Sequence, residues 1–354
     1  MSDRLVITLP VAPYGELHVG RMSTPILGES IAKSMNCKFI MSINTLDCYK
    51  DRDAKKLVNL MGQYNINSDY YWIDSEHINE LIDKIYILIK KGYISEKEKE
   101  VLCCNCGKVE ISTDNLNSIN MDDALFEKIN DDYYCKFCGT KCLRKKTKSL
   151  IFDSKLVDKS TMCFFPDFIN KDKYTFDQTV GNNDIIISRN RNTGVIINHN
   201  GYNYNLDIDF LWQVFLSLFD EKEKIVICCN HQLYQLYMVG MLEKCFDAKS
   251  NTVCLATPFL KNDLSATELE NRIVSLKIFD LLVLKWAKKE NTFDKTLLSF
   301  VNSMNVEKKQ LLYDILVEEI ETTDDVSDDL RNVLTKKYNF QNSNNELKRR
   351  RKNV

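Results

Sequence analysis

Apolar positions along this chain change rhythm in a way that predicts alternating strands and helices. Leu5-Val6-Ile7-Thr8-Leu9 is a short β-rich run directly after a charge. A turn-like stretch follows, Pro10-Val11-Ala12-Pro13-Tyr14-Gly15, with a constrained backbone. Met22, Ile26, Leu27, Ile31 and Met35 then recur at helical spacing. Lys38-Phe39-Ile40-Met41-Ser42-Ile43 reads as a second strand, ending in polar Asn44-Thr45-Leu46-Asp47. Strand, helix, strand is a βαβ unit, which predicts a parallel sheet.

The same reading continues downstream. Residues 76–91 carry Ile78, Leu81, Ile82, Ile85 and Ile89 on one helical side. Residues 184–197 are strand-like around Ile185-Ile186-Ile187, and 206–219 are apolar around Trp212. Lys224–Cys229 is a buried-strand candidate, followed by a helix with Leu233, Leu236, Tyr237 and Leu242. From Ala266 to about residue 337 the pattern is helical, and 338–354 is polar.

Composition narrows the classes. The 354 residues carry a formal net charge of -2, which excludes a globally basic nucleic-acid binder. One dense basic run, Lys348-Arg349-Arg350-Arg351-Lys352, reads either as a solvated tail or as a phosphate-backbone contact. No apolar run approaches the ~18 residues of a membrane span, and the start is not a secretory signal. With 13 cysteines, an odd number, the expected setting is reducing cytoplasm.

Cysteines cluster in two C-x-x-C-G knuckles, Cys103-Cys104-Asn105-Cys106-Gly107 and Cys135-Lys136-Phe137-Cys138-Gly139. Two such turns supply four thiolates for a tetrahedral zinc ion, with Cys103, Cys106, Cys135 and Cys138 as ligands. Cys104 and Cys142 are neighbouring thiols that leave the set ambiguous, and reduced, unmetallated cysteine is the plain alternative. With four protein ligands the site is structural, not catalytic.

The segment from Pro13 to Gly20 leaves a strand and enters a helix. A helix N-terminus presents unpaired N–H groups and a positive dipole end, which suits phosphate. Gly20 permits close approach of a ligand, and His18 offers a donor to a phosphate oxygen. A core histidine at a strand–helix turn is the alternative. Asp47, at the tip of the second strand, reads either as the partner of a substrate ammonium or as a helix N-cap.

On these residues the chain resembles class I aminoacyl-tRNA synthetases of the methionyl/leucyl type. Pro13-Tyr14-Gly15-Glu16-Leu17-His18-Val19-Gly20-Arg21 is similar to their P-Y-x-x-G-x-L-H-x-G-H signature, two residues shorter and with Arg21 for the last histidine. Asn44-Thr45-Leu46-Asp47-Cys48-Tyr49 is similar to the D-D-A-H-G segment. Ile187-Ser188-Arg189 is similar to I-S-R, and Asp209-Phe210-Leu211-Trp212 stands where Y-V-W-x-D is expected. The knuckle occupies the place of the family's zinc-bearing connective peptide, with no room for a large editing domain.

The resemblance implies a split Rossmann-like (HUP-type) α/β fold with an inserted zinc knuckle and a helical C-terminal region. Residues 1–100 and 146–255 would form the catalytic domain and 101–145 the knuckle. Residues 256–337 would form the loop and helical region, and 338–354 the basic tail. It implies ATP, Mg²⁺ and Zn²⁺ as cofactors, an amino acid (methionine by default) as substrate, and tRNA or another acyl acceptor as partner.

The implied catalytic residues are His18, Gly20, Arg21 and Lys261. ATP would meet Pro13, Tyr14, Gly15, His18, Gly20, Asn230, His231, Gln232, Lys261 and Ser265. The amino acid would meet Val11, Ala12, Asp47 and Trp212, although Trp212 also reads as plain core. Phe259-Leu260-Lys261-Asn262-Asp263-Leu264-Ser265 stands for the K-M-S-K-S loop without its second lysine. That loss predicts slow activation, or a compensating cation such as Arg272 or Mg²⁺. A non-tRNA acceptor and an inactive amino-acid- or RNA-binding protein are the competing functions.

Overall fold

The computed structural model describes residues 4–13, 19–46, 53–63, 66–106, 110–113, 126–160, 162–165, 176–177, 180–181, 183–189, 194–219, 221–229, 232–257, 259–261 and 290–292. Its first strand, β1 (Arg4–Thr8), is followed by α1 (Val19–Met35), β2 (Lys38–Ile43), α2 (Ala54–Gln63), β3 (Tyr70–Ile73) and α3 (Ile78–Lys90). The expected βαβ start is therefore present.

The chain then leaves the sheet along β4 (Ile94–Cys103), β5 (Glu110–Ser112), β6 (Phe126–Ile129), β7 (Asp132–Cys135) and β8 (Leu143–Asp153). It returns through β9 (Cys163–Phe165), β10 (Asp184–Ile186), β11 (Val195–His199) and β12 (Tyr202–Leu206). The last described elements are α4 (Ile208–Ser217), β13 (Glu223–Cys229), α5 (Leu233–Cys245), β14 (Asn251–Thr257), β15 (Phe259–Lys261) and β16 (Glu290–Thr292).

Six strands form one sheet in the order β3-β2-β1-β13-β14-β9. Every neighbouring pair in it is parallel. Parallel strands are covered on both faces, which is why they are nearly continuous apolar runs; β13 is buried from Glu223 to Cys228. One face packs Leu5, Ile7, Val226, Cys228 and Cys254 against α3, α4 and α5. The other packs Val6, Met41, Ile225, Ile227 and Val253 against α1 and α2. From β1 the chain winds outward through β2 to β3, and from β13 it steps the other way to β14, so the topological switch point lies between β1 and β13.

A second, antiparallel sheet has the order β10-β8-β4-β5. Its β4–β8 ribbon pairs without interruption from Ile94↔Phe152 to Cys103↔Leu143. Along one face the ribbon carries charges that match across the strands. Lys148 pairs with Glu96 (2.6 Å), Lys146 with Glu98 (4.0 Å) and Arg144 with Glu100 (3.4 Å). The ribbon ends in the cysteine segment, where β6 and β7 form a hairpin.

The apolar segment around Trp212 is a helix, α4, in which every residue but Asp209 is buried. One sequence expectation changes. Within the region expected to be helical from 266, Glu290–Thr292 is instead a strand parallel to Phe259–Lys261. The remainder of that region and the basic tail lie outside the described residues. Among the described residues no helix is long and apolar enough to cross a membrane.

Candidate active site and metal centre

The carboxyl ends of β1, β2 and β13 converge at the switch point. Beyond β1 the chain stays on the sheet: the Leu9 amide donates to the Ile227 carbonyl (2.9 Å) and the Val11 amide to the Ser42 carbonyl (2.9 Å). Val11 then pairs with Ile43 as an isolated parallel bridge. Pro13 is buried and Ala12 partly exposed. Tyr14, Gly15 and His18 lie outside the described residues, but the chain enters α1 immediately after them. Gly20 and Arg21 stand in the first turn of α1, with Arg21 partly exposed.

Asp47 also lies outside the described residues, yet the three residues before it are fixed. Asn44, Thr45 and Leu46 are all buried. Their anchor is Asp74, a carboxylate with no exposed surface, just past the end of β3. Asp74 Oδ1 accepts from the Thr45 amide (2.7 Å) and hydroxyl (2.6 Å). Asp74 Oδ2 accepts from the Leu46 amide (3.2 Å) and from the indole N–H of Trp212 (3.1 Å). Trp212, on α4, thus stands beside the tip of β2, close to the expected amino-acid site. Sequence reasoning missed Asp74. The signal was a carboxylate ending the apolar run Tyr70–Ile73.

At the end of β13, Asn230 and His231 lie outside the described residues. Gln232 caps α5, and its side-chain oxygen accepts from the Cys229 amide (3.1 Å). Behind it Arg189 pairs through Nε with Asp207, whose other oxygen caps α4 through the Asp209 amide (2.9 Å). Burial disfavours the charged guanidinium, but Asp207 and Asp209 outweigh it and hold Arg189 firmly protonated. Tyr234, in the first turn of α5, is raised above the ordinary phenol range by burial and by Asp209. Lys261 lies in β15, with its side chain outside the description, and Ser265 lies outside the described residues.

The cysteine segment forms a separate centre. The sulfurs of Cys104, Cys106, Cys135 and Cys138 all lie within 4.8 Å of one another, so this group could hold a metal ion. Cys106 and Cys135 are 3.6 Å apart, near the ~3.8 Å edge of a tetrahedron built on metal–sulfur distances of about 2.3 Å. Cys104 and Cys106 approach more closely, to 2.8 Å. The set differs by one residue from the spacing-based reading. Cys103 closes β4 opposite Leu143 and turns its sulfur to that residue's carbonyl (3.5 Å).

Local chemistry treats the tetrad unevenly: burial raises the Cys135 thiol above its ordinary value. Hydrogen bonds from Thr140 lower the Cys138 thiol to about 6. Burial pushes the neighbouring Cys142, which is not in the tetrad, up to about 11. The turn itself is closed by the Gly139 amide donating to the Cys135 carbonyl (2.8 Å), with Gly139 at φ 68. Phe126 and Tyr133 meet edge to face behind it (5.0 Å).

No family model matches this sequence, and no curated protein matches it. Solved structures do resemble the fold. Methionyl-tRNA synthetase from Mycobacterium tuberculosis, in complex with methionyl-adenylate, superposes with a TM-score of 0.60 at 12% identity, over 91% of this chain and 72% of that one. A second methionyl-adenylate-bound structure gives 0.60 at 11% identity, over 90% and 72%. The free-state enzyme gives 0.58 at 11%, over 91% and 70%. A parallel sheet with its switch point between β1 and β13, interrupted by a ribbon bearing cysteines, gives this chain a class I aminoacyl-tRNA synthetase-like fold.

Proposed function

We propose that the protein activates an amino acid with ATP, forming an aminoacyl-adenylate, and transfers the acyl group to tRNA. In the activation step a carboxylate oxygen of the amino acid attacks the α-phosphorus of ATP. The bond to the bridging oxygen breaks, and pyrophosphate leaves with the electron pair. His18 and the first turn of α1, with Gly20 and Arg21, would hold the phosphates. Lys261 would meet the charge growing on pyrophosphate, with Mg²⁺. Asp47 would receive the substrate ammonium and Trp212 would wall its pocket.

One observation carries the reading. The segments leading to His18 and to Asp47 are hydrogen-bonded neighbours at one carboxyl edge of the sheet, next to its switch point. Ligands of doubly wound sheets bind at such a point. Methionine is the default substrate by likeness to enzymes solved with methionyl-adenylate.

The cysteine tetrad is proposed as a structural zinc site with no step in the chemistry. The free cysteines among the described residues suit a reducing cytoplasm.

Amino-acid-dependent ATP–pyrophosphate exchange across the twenty amino acids is the test. Exchange with one amino acid supports activation; none, with folded protein, removes it. A screen of tRNA against small amines and carriers then decides the acceptor.

A further inference from the structure

We infer that Asp74 is a positioning residue: it sets the amino-acid pocket by fixing both the tip of β2 and the indole of Trp212. The inference rests on the proposed activation reaction and deepens it. Pairing between β2 and β3 runs from Ile40↔Tyr70 to Ile43↔Ile73 and stops there. The next residue of the β3 path, Asp74, continues the work with its side chain. Its Oδ1 accepts from the Thr45 amide and hydroxyl, and its Oδ2 from the Leu46 amide. The backbone is therefore held as far as the residue before Asp47, beyond the last strand pair.

The fourth donor comes from elsewhere in the chain. Trp212, on α4, gives its indole N–H to Oδ2 (3.1 Å). A second link joins the same two segments: Trp72, two residues before Asp74, stacks on Phe215 of α4 (centroids 3.4 Å) and on His77 (5.0 Å). A carboxylate with no exposed surface is costly to bury unless donors surround it. Here all four donors belong to the two segments that flank the expected ammonium site. One carboxylate thus fixes both the end of β2 that leads to Asp47 and the indole of Trp212, and it holds the two at a constant separation.

The prediction is a defect in amino-acid binding that spares ATP. Asp74→Asn keeps the size but exchanges an acceptor for an N–H donor, which faces other donors. In pyrophosphate exchange the Michaelis constant for the amino acid should rise about tenfold or more, and that for ATP less than about twofold. Trp212→Phe and Thr45→Val each remove one donor and leave the carboxylate in place. Each should raise the amino-acid constant a few-fold. Trp212→Phe added to Asp74→Asn should cost less than the product of the two single effects.

A folded Asp74→Asn protein with an unchanged amino-acid constant overturns the inference, as do equal rises for amino acid and ATP. If Asp74→Asn does not fold, the two single-donor variants decide in the same way. Wild-type protein that exchanges with no amino acid is a different failure. It removes the activation reaction, and the positioning role with it.

Discussion

The Asn44 amide donates to the Val11 carbonyl across 3.0 Å, and this bond ties the loop that leads to His18 to the strand end that leads to Asp47. With the Val11 amide on the Ser42 carbonyl, it makes the isolated parallel bridge between Val11 and Ile43, beyond both regular strands. The phosphate site proposed at the head of α1 and the ammonium site proposed at the tip of β2 would therefore share a backbone link.

From this follows the first expectation. His18→Ala should lower exchange by more than about a hundredfold, the scale of losing a positioned transition-state donor. Asp47→Ala should act mainly on the amino-acid Michaelis constant. Wild-type exchange in His18→Ala would take that residue out of the mechanism.

The metal centre makes a sharper distinction between adjacent residues. Purified protein should contain one zinc per chain by elemental analysis. Cys104→Ser should lose it, because Cys104 lies with Cys106, Cys135 and Cys138, whereas Cys103→Ser should retain it. The opposite pair of results would restore the C-x-x-C ligand set read from spacing.

Lys224 is fully buried, and its ammonium meets Glu243 (2.5 Å) and the carbonyls of Leu216 (2.8 Å) and Phe219 (3.3 Å). Lys224→Met should cost about 3–5 kcal/mol in urea unfolding, because Glu243 stays buried with, among the described residues, Thr252 as its remaining donor (2.7 Å). Adding Glu243→Leu should recover much of the loss. A single variant as stable as wild type would show that the pair is not a stabilising lock.

Asp184 links the base of the ribbon to β10. Desolvation raises its carboxyl, but Lys99 and Lys97 prevail and hold it below the ordinary value. A depressed carboxylate contributes stability above its unfolded value of about 3.9, and the contribution disappears as pH falls through the folded value. Melting temperatures of wild type and Asp184→Asn should therefore differ at neutral pH and converge below about pH 4. A constant gap from pH 7 to pH 3 would contradict this assignment.

Much of the sheet was legible because its elements repeat at clean periods. β1, α1, β2, α3, β13 and α5 all stand where apolar spacing put them. Trp212 was harder. α4 is buried at every residue but Asp209, so it has no polar face to reveal a helical period. Asp74 was invisible for another reason: its partners Thr45 and Trp212 are 29 and 138 residues away. Spacing put Cys103 in the ligand set, whereas the sulfurs that lie together are those of Cys104, Cys106, Cys135 and Cys138; Cys103 ends β4 opposite Leu143, a register that spacing does not carry.

The β4–β8 ribbon extends from Ile94 to Cys103, about 30 Å at ~3.3 Å per residue. A thiolate that changes its ligation, or an ion that dissociates, at the far end of this ribbon acts several screening lengths of about 10 Å from its base, so the charge is felt little at Ile94, where β4 begins.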